Sequence, residues 1–372
     1  MIKANARYFS TSVSSFFNKD LIVTTKPSVK PNFDGAKLGF GTIATDHMVN
    51  IDHDGNHGWK SPEIIPFAPI QMHPFSSTLH YGLCCFEGMK AFRGKDGSIR
   101  LFRPMENMKR FLGSNLRLAF PEFDPTELLK VIEEFVKIER NWIPNHDAGS
   151  LYIRPVAFSM TDVLGVHRAP TTKIMVMACP VGAYFDGKIN LSVYENYWRG
   201  SPKSAAAYKI GANYAPTVLI GDELAKNGYS QAVWVYNDCF LESGATNLFF
   251  VIENAPGKYE IITHPLDGSI LPGVIRDSII NLTPDLFPEI KITQKPFSIS
   301  EFIELHNQNK VKEIFVSGTA SVIGEVHSLE IRGKVYPMNY QPGEKLICST
   351  IKKYLLDIQF GVIPHSYSHV VQ

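Results

Sequence analysis

Residues 208–252 read YKIGANYAPTVLIGDELAKNGYSQAVWVYNDCFLESGATNLFFVI and give the clearest indication of the fold class. The residues after Gly211 predict a helix, and Gly228 is the residue type that ends a helix just beyond its cap. Two apolar, β-rich runs follow, and they meet at Asn237 and Asp238, a pair typical of a tight hairpin turn. Helix and hairpin together predict a domain of class α+β.

The rest of the second half agrees with this class. The turn LDGSILPG (266–273) precedes a predicted helix, VIRDSIINL (274–282). The run EIFVSGTASVIGEV (313–326) is rich in β-branched residues and predicts one strand. No internal repeat or low-complexity tract interrupts this half.

The first half also mixes strands and helices. Short alternating runs from about Asp34 predict an antiparallel sheet, and apolar residues at helical spacing predict helices at 106–120 and 125–143. Apolar strands at 151–160 and 173–185 follow. A polar stretch with Gly and Ser comes next and predicts a linker between two domains.

Composition favours a small-molecule partner. Lys and Arg total 37 against 36 Asp and Glu, so no overall field favours nucleic acid or an acidic membrane. The five cysteines form no CxxC pair and no spacing suited to zinc, which predicts reduced thiols and no metal site. No apolar run reaches the roughly 18 residues that a membrane-spanning helix needs.

The first nineteen residues differ from the rest. They carry Lys3, Arg7 and Lys19 with several Ser and Thr, and no acidic residue precedes Asp20. This composition predicts a mitochondrial transit peptide over 1–19 and location in the mitochondrial matrix. The alternative is a disordered tail of accidental composition on a cytoplasmic protein.

Lys209 and Glu242 are candidates for chemistry. Apolar neighbours around Lys209 favour the neutral amine that imine chemistry needs, although a lysine beside a glycine is more often a solvated loop residue. Glu242 lies inside an apolar run and would need a cationic partner if buried, for which a protonated pyridine nitrogen is suited. The alternative for Glu242 is an edge strand with the carboxylate in water.

Two further segments are suited to a phosphate. Gly273 precedes Val274 and Ile275 at a predicted helix start, where free backbone N–H groups favour an anion. The SGTAS segment offers the hydroxyls of Ser317 and Thr319. Taken alone, the first is equally an ordinary loop-to-helix junction and the second a Ser/Thr turn.

Several motifs occur together in a fixed order and make the sequence resemble a known family. They are HYGLCCFEGMKAFRG, IRLFRP, SLYIRPVAF, KIGANYAP, LESGATNLFFV, LDGSILPGVIRDSI and FVSGTAS. This set resembles the branched-chain amino acid aminotransferases, which have the class-IV aminotransferase fold. The resemblance extends from about Gly39 to beyond Cys348. Motifs matching in order and spacing are far more specific than any single one.

The resemblance implies a two-domain α+β subunit that works as a homodimer with pyridoxal 5'-phosphate. Residues 20–184 would form a smaller α/β N-terminal domain, 185–200 a linker, and 201–372 a larger pseudo-barrel domain that binds the cofactor. The implied reaction is reversible ping-pong transfer of the amino group of L-leucine, L-isoleucine or L-valine to 2-oxoglutarate.

The resemblance also assigns site residues. Lys209 would be the catalytic residue and carry the cofactor as a Schiff base, and Glu242 would pair with the pyridine nitrogen. The cofactor-binding residues would be Arg103, Lys209, Tyr214, Glu242, Val274, Ile275 and Thr319. The substrate-binding residues would be Phe40, Tyr81, Phe86, Tyr152, Arg154, Val166, Tyr184, Ala245 and Ala320.

Some positions stay open or depart from the family. Without the resemblance the aromatic residues would be interpreted as core, and Lys90 lines the site without an assigned role. Animal members carry a redox-sensitive CxxC where this chain has Ser321 and Gly324, so thiol regulation of that kind is not expected. Ala245 stands where some members have Thr or Gly.

Other functions have weaker support. D-amino acid aminotransferase and aminodeoxychorismate lyase share the fold, but the longer N-terminal region with FGT, HYG and FEGMKAF argues against both. A catalytically silent sensor or scaffold is disfavoured by the intact Lys209, Glu242, Tyr214 and Arg103. Nucleic-acid binding has only scattered Lys and Arg in its favour.

Overall fold

The computed structural model describes residues 15–27, 38–146, 148–182, 187–341 and 344–372. The strands are β1 (Ile22–Val23), β2 (His47–Asp54), β3 (Gly58–Trp59), β4 (Glu63–Pro66), β5 (Cys84–Phe86), β6 (Met89–Arg93), β7 (Ile99–Phe102), β8 (Ser150–Ser159), β9 (Thr172–Val181), β10 (Ile189–Tyr194), β11 (Gln231–Tyr236), β12 (Cys239–Ser243), β13 (Thr246–Ala255), β14 (Lys258–Thr263), β15 (Lys291–Gln294), β16 (Val311–Gly318), β17 (Val322–Ile331), β18 (Lys334–Pro337) and β19 (Ser368–Val370). The helices are α1 (Ser77–Tyr81), α2 (Pro104–Arg117), α3 (Pro125–Ile138), α4 (Val218–Lys226), α5 (Val274–Leu286), α6 (Ile299–Asn307) and α7 (Ile347–Gln359). Among the described helices, none is long and apolar enough to cross a membrane.

Strands of the first half, together with β19 from the end of the chain, form a mainly antiparallel sheet. Its order is β1-β4-β2-β9-β8-β6-β7-β19, with β3 beside β2 and β5 beside β8. Helices α2 and α3 pack on one face of it, around a core that includes Phe111, Ile132 and Phe135. Helix α3 begins where the sequence favours it, because the Asp124 side chain accepts a hydrogen bond from the Thr126 N–H and Pro125 takes the first helical position.

Strands of the second half form a sheet that closes on itself. Its order is β12-β11-β10-β17-β16-β13-β14-β15, and β12 also pairs with β13, so six strands make a ring. This is the pseudo-barrel that the resemblance implied. The predicted hairpin turn is present, with Asn237 and Asp238 both at positive φ (47° and 61°). Gly228 follows α4 at φ 81°, as predicted for the residue that ends this helix.

Two predicted segments differ from the structure. Residues 189–194, assigned to the linker, form β10 between β11 and β17, because Ile189, Leu191 and Val193 alternate into the second core. The predicted strand 313–326 is two strands, β16 and β17, which turn back on each other so that Gly318 pairs with Val322. The SGTAS motif therefore lies in a tight turn rather than within a strand.

Residues 15–19, which the prediction assigned to a transit peptide, pack onto the first domain. Phe16 is 2% exposed and belongs to the first core, where its ring packs against Trp59 and Phe123. The Asn18 N–H donates to Glu127 Oε2 at 2.8 Å. Residues 15–20 are therefore part of the folded domain, because the Phe16 ring is buried in its core and the Asn18 N–H binds Glu127 of α3. Residues 1–14 of the prediction lie outside the described residues.

Candidate active site

Lys209 lies between the two sheets, with its backbone held on both sides. Its N–H donates to Ser114 Oγ on α2 at 3.0 Å, and its carbonyl accepts from the Phe86 N–H at 3.0 Å. The side-chain amine is 3.2 Å from Tyr214 Oη and 4.9 Å from the centre of the Phe86 ring. The amine is therefore fixed against two of the aromatic residues that the sequence assigned to the site. Ser114, which is fully buried, was not predicted.

Aromatic rings and one guanidinium lie together on the Phe86 side of Lys209. The Phe86 and Tyr214 rings are 4.9 Å apart, and Phe40 packs edge-on against Tyr152 at 4.8 Å. Arg154 donates to Tyr152 Oη at 3.2 Å and stacks over both Phe86 and Tyr152. Its Nε is buried without a hydrogen-bond partner in the described part of the chain. Such a donor suits an incoming carboxylate.

Glu242 is a buried carboxylate rather than an edge-strand one. It is 2% exposed on β12, and its Oε2 lies 2.6 Å from Arg199 NH1. Its Oε1 accepts from Asn247 Nδ2 and from the Leu271 N–H, each at 3.0 Å. Burial raises the pKa of Glu242, and the charge of Arg199 opposes that rise.

Sequence reasoning missed Arg199 because it treated residues 185–200 as a linker. The available signal was the requirement, already noted for Glu242, that a buried carboxylate has a cationic partner. The structure supplies that cation from the same chain, and Arg199 also lies over the Tyr214 ring at 5.4 Å.

A second buried ion pair, also missed, lies in the first half and contacts the second half through Arg110. Glu87 in the FEGMKAF motif is fully buried, and Arg110 binds both of its oxygens, at 2.5 and 2.9 Å. Arg110 also donates to the Pro272 carbonyl at 3.0 Å, just before α5. Burial acts to raise the pKa of Glu87, but the charge and hydrogen bonds of Arg110, together with Lys209 and Asn107, outweigh it and the pKa is lowered.

The segments predicted to hold a phosphate converge. Val274 and Ile275 begin α5, and together with Thr319 they line one small cavity. Arg103 reaches the first turn of α5, where its NH1 lies 2.7 Å from Asp277 Oδ2 and 2.8 Å from Ser278 Oγ. The start of a helix beside a guanidinium is a suitable anion site.

Gly273 lets the start of α5 lie close to Asn247, the residue that donates to Glu242. A Cβ at position 273 would lie 2.0 Å from Asn247 Oδ1, which belongs to the amide that also donates to Glu242. Glycine is therefore required there on steric grounds.

The SGTAS turn docks on β6 of the first sheet. Thr319 Oγ1 donates to the Gly88 carbonyl at 3.2 Å, and Lys90 Nζ donates to the Ala320 carbonyl at 2.7 Å. Burial lowers the pKa of Lys90 to about 8. Ala245 is exposed just before β13, whose Asn247 pairs with Ser317, so the segments of Ala245 and Ala320 are neighbours.

The remaining predicted substrate residues lie elsewhere. Tyr81 and Val166 are exposed near each other, because the Gly165 N–H donates to Tyr81 Oη at 3.2 Å. Val166 is 87% exposed. Tyr184 lies outside the described residues. No group of three or more potential metal-ligating side chains occurs in the described ranges.

Comparison with known proteins identifies the family. The family described as Amino-transferase class IV matches residues 84–329, more than half of the chain. The chain belongs to the class IV aminotransferases. This aminotransferase is 41% identical over 353 residues to the mitochondrial branched-chain-amino-acid aminotransferase of Schizosaccharomyces pombe, covering 92% of this chain and 83% of the relative.

Other relatives agree. The aminotransferase is 37% identical to the cytosolic branched-chain-amino-acid aminotransferase of Rattus norvegicus, covering 95% of this chain and 87% of that protein. A solved structure, the branched-chain amino acid aminotransferase of Thermobaculum terrenum in its PLP form, aligns with a TM-score of 0.70 at 18% identity. That alignment covers 88% of this chain and 99% of the solved one, and it shows that the two share a fold.

Proposed function

We propose that this aminotransferase transfers the amino group of L-leucine, L-isoleucine or L-valine to 2-oxoglutarate, reversibly and in a ping-pong sequence, with pyridoxal phosphate as cofactor. The observation that supports this best is the grouping of the Lys209 amine, the Tyr214 hydroxyl and the buried carboxylate of Glu242. Lys209 contacts Tyr214, and Arg199 lies against both Tyr214 and Glu242. The relatives that cover most of this chain are named for the same activity.

The residues present fit pyridoxal phosphate. Its ring nitrogen needs a carboxylate away from water, and Glu242 is a buried carboxyl group whose oxygens accept from Arg199, Asn247 and the Leu271 N–H. Its phosphate needs N–H donors and a cation, which the start of α5 and Arg103 provide. Its phenolic oxygen needs a hydroxyl donor, for which Tyr214 is suited. When bound, the cofactor supplies an electron-accepting ring that makes the Cα proton of an attached amino acid removable.

The chain's own residues then have distinct tasks. Lys209 Nζ would take the Cα proton as a general base and then donate it, as an acid, to the cofactor carbon that takes up the amino group. Its contacts with Tyr214 and Phe86 hold it in place. The rings of Phe40 and Tyr152 exclude water from an aliphatic side chain. Arg154, whose Nε has no hydrogen-bond partner among the described residues, binds the side-chain carboxylate of glutamate or 2-oxoglutarate. One site thus accepts both apolar and acidic side chains.

We also propose that the enzyme is a homodimer in which each subunit completes the other's substrate pocket. Apolar side chains cluster around Tyr81 and Val166 on the first domain and are exposed in the single chain. The exposed members are Phe75, Leu79, Tyr81, Val163, Leu164 and Val166. A patch of this kind favours burial against a second copy. A strictly monomeric active enzyme in sedimentation experiments would exclude the dimer.

For location, we propose the mitochondrial matrix, with import cleavage upstream of the docked Phe16. Relatives include both mitochondrial and cytosolic forms, so relatives alone leave the compartment open. Cleavage after residue 19 would remove the docked Phe16. Intact-mass measurement of the protein from mitochondria tests this, and a mature end beyond residue 16 would refute the cleavage site. A diffuse cytosolic signal from residues 1–30 fused to a reporter would refute import.

The catalytic proposal is tested with purified protein and 2-oxoglutarate. Leucine, isoleucine and valine should serve as amino donors, whereas D-alanine should not. Lys209→Ala should lower the rate by about 10²–10⁴-fold or more, since the general base is lost. Lys226→Ala, at an exposed lysine of α4, is the matched control and should leave the rate unchanged. Full activity in Lys209→Ala would overturn the role of that lysine.

A further inference from the structure

Arg199 is a cation that contacts both side chains proposed to bind the polar atoms of the cofactor ring. Its NH1 lies 2.6 Å from Glu242 Oε2, and its guanidinium carbon lies 5.4 Å from the centre of the Tyr214 ring. The Arg199 and Glu242 side chains are each only 3% exposed. Arg199 is therefore a buried contact residue of this site rather than part of a solvated linker.

The donors around Glu242 fix the plane of its carboxylate. Oε1 accepts from Asn247 Nδ2 and from the Leu271 N–H, and Oε2 accepts from Arg199. An ionised carboxylate has about four lone-pair sites, so these three donors leave one site, on Oε2. Arg199 thus determines which way the remaining acceptor site of Glu242 is directed.

Arg199 also sets the charge of Glu242. Burial favours the neutral acid and raises the pKa of Glu242, and the charge of Arg199 is the largest effect opposing this. Lys209 and Arg110 oppose it as well, with smaller effects. Without Arg199, the buried carboxyl group would bind a proton and become a donor instead of an acceptor.

We infer that Arg199 is a positioning residue for the cofactor ring, which keeps Glu242 ionised and its free Oε2 site directed at the ring nitrogen. This inference rests on the proposed function. The alternative is that Arg199 only fills space and neutralises a charge for stability. The two differ in what happens to the bound cofactor's spectrum, because a ring nitrogen that loses its ionised partner loses its positive charge.

The experiment compares Arg199→Met with wild type in three measurements. Pyridoxal phosphate is titrated into cofactor-free protein, the absorbance of the bound cofactor is followed against pH, and kcat and KM are measured. We expect the variant to bind the cofactor about tenfold more weakly or worse, since a protonated Glu242 no longer offers the ring nitrogen a charged partner. The pH midpoint of the absorbance change should rise by about one unit, because an uncharged ring withdraws fewer electrons. The loss in activity should be in kcat rather than KM.

Two further variants separate positioning from folding. The double variant Arg199→Met with Glu242→Gln replaces the buried carboxyl group by a neutral amide and so avoids the cost of protonating it, and it should recover the thermal stability lost in Arg199→Met. Its absorbance midpoint should stay at the raised value, since no ionised partner remains. Arg100→Met, which removes another largely buried arginine paired to Asp96 at 2.6 Å, is the control and should leave the midpoint unchanged.

The outcomes are distinguishable. A wild-type midpoint and affinity in Arg199→Met would overturn the inference, as would recovery of the wild-type midpoint in the double variant. A lowered stability with an unchanged midpoint would show a structural role only, which also overturns it. Failure of wild-type protein to bind pyridoxal phosphate at all would refute the proposed function instead.

Discussion

Replacement of Phe16 by alanine should release the N-terminal segment from the first domain. The Phe16 ring is 2% exposed, lies edge-on to Trp59 at 5.3 Å and stacks with Phe123 at 6.1 Å. Burying a phenylalanine stabilises by about 1.5–3 kcal/mol, and aromatic pairs add about 0.5–1.5 kcal/mol. The N-terminal segment can move away in the variant, which offsets part of the lost stabilisation. We therefore expect the free energy of unfolding of this segment to fall by about 3 kcal/mol.

Hydrogen exchange measures this loss where it occurs. The Asn18 N–H donates to Glu127 Oε2 at 2.8 Å, and the Asp124 N–H donates to Ser15 Oγ at 2.9 Å. A loss of about 3 kcal/mol makes exchange of these two amides about 100-fold faster. Phe17→Ala is the control, since Phe17 is 45% exposed and should change stability by less than about 0.5 kcal/mol. Unchanged protection in Phe16→Ala, or equal effects of both variants, would refute the reasoning.

Two other substitutions probe the contacts between the halves. Glu87→Gln leaves Arg110 charged and buried, so the free energy of unfolding in urea should fall by about 3–5 kcal/mol. Because the pKa of Glu87 is lowered from its ordinary 4.5, the ionised carboxylate stabilises wild type fully above pH 4.5. This stabilisation is lost as the pH falls through the lowered pKa, and the free energy of unfolding of the variant should lack that pH dependence. Gly273→Ala places a Cβ 2.0 Å from Asn247 Oδ1, and thermal unfolding should show a loss of about 1–3 kcal/mol and a smaller gain from added cofactor. Gly113→Ala, in α2 with open space around it, should instead gain about 0.5–1 kcal/mol, and the reverse order would contradict the steric argument.

The sequence predicts local structure well where the signal is itself local. The Asn237 and Asp238 turn and the helix end at Gly228 follow from backbone conformations that few residue types adopt, and both are present. The prediction of a single strand over 313–326 is wrong because the local signal there is ambiguous. Its apolar residues continue on both sides of SGTAS, so composition alone does not show that the chain reverses there.

The candidate site is only partly predictable for a different reason. Motif order identifies the family and nominates Lys209, Glu242 and the phosphate segments, and the structure brings these together. The partners that set their charge, Arg199 for Glu242 and Arg110 for Glu87, are 43 and 23 residues away in the chain. No periodicity links such pairs, because the contact exists only after the sheets have formed.

The position of β19 has a consequence for how the chain folds. This strand pairs with β7 of the first sheet, and the adjacent Tyr367 carbonyl accepts from the Arg103 N–H while its ring stacks on the Arg103 guanidinium. β19 follows every strand of the second sheet in the chain. The first sheet therefore keeps an open edge at β7 until the end of the chain reaches it, and Arg103 gains these contacts only then. A chaperone that protects exposed strand edges while the chain folds would act on this interval.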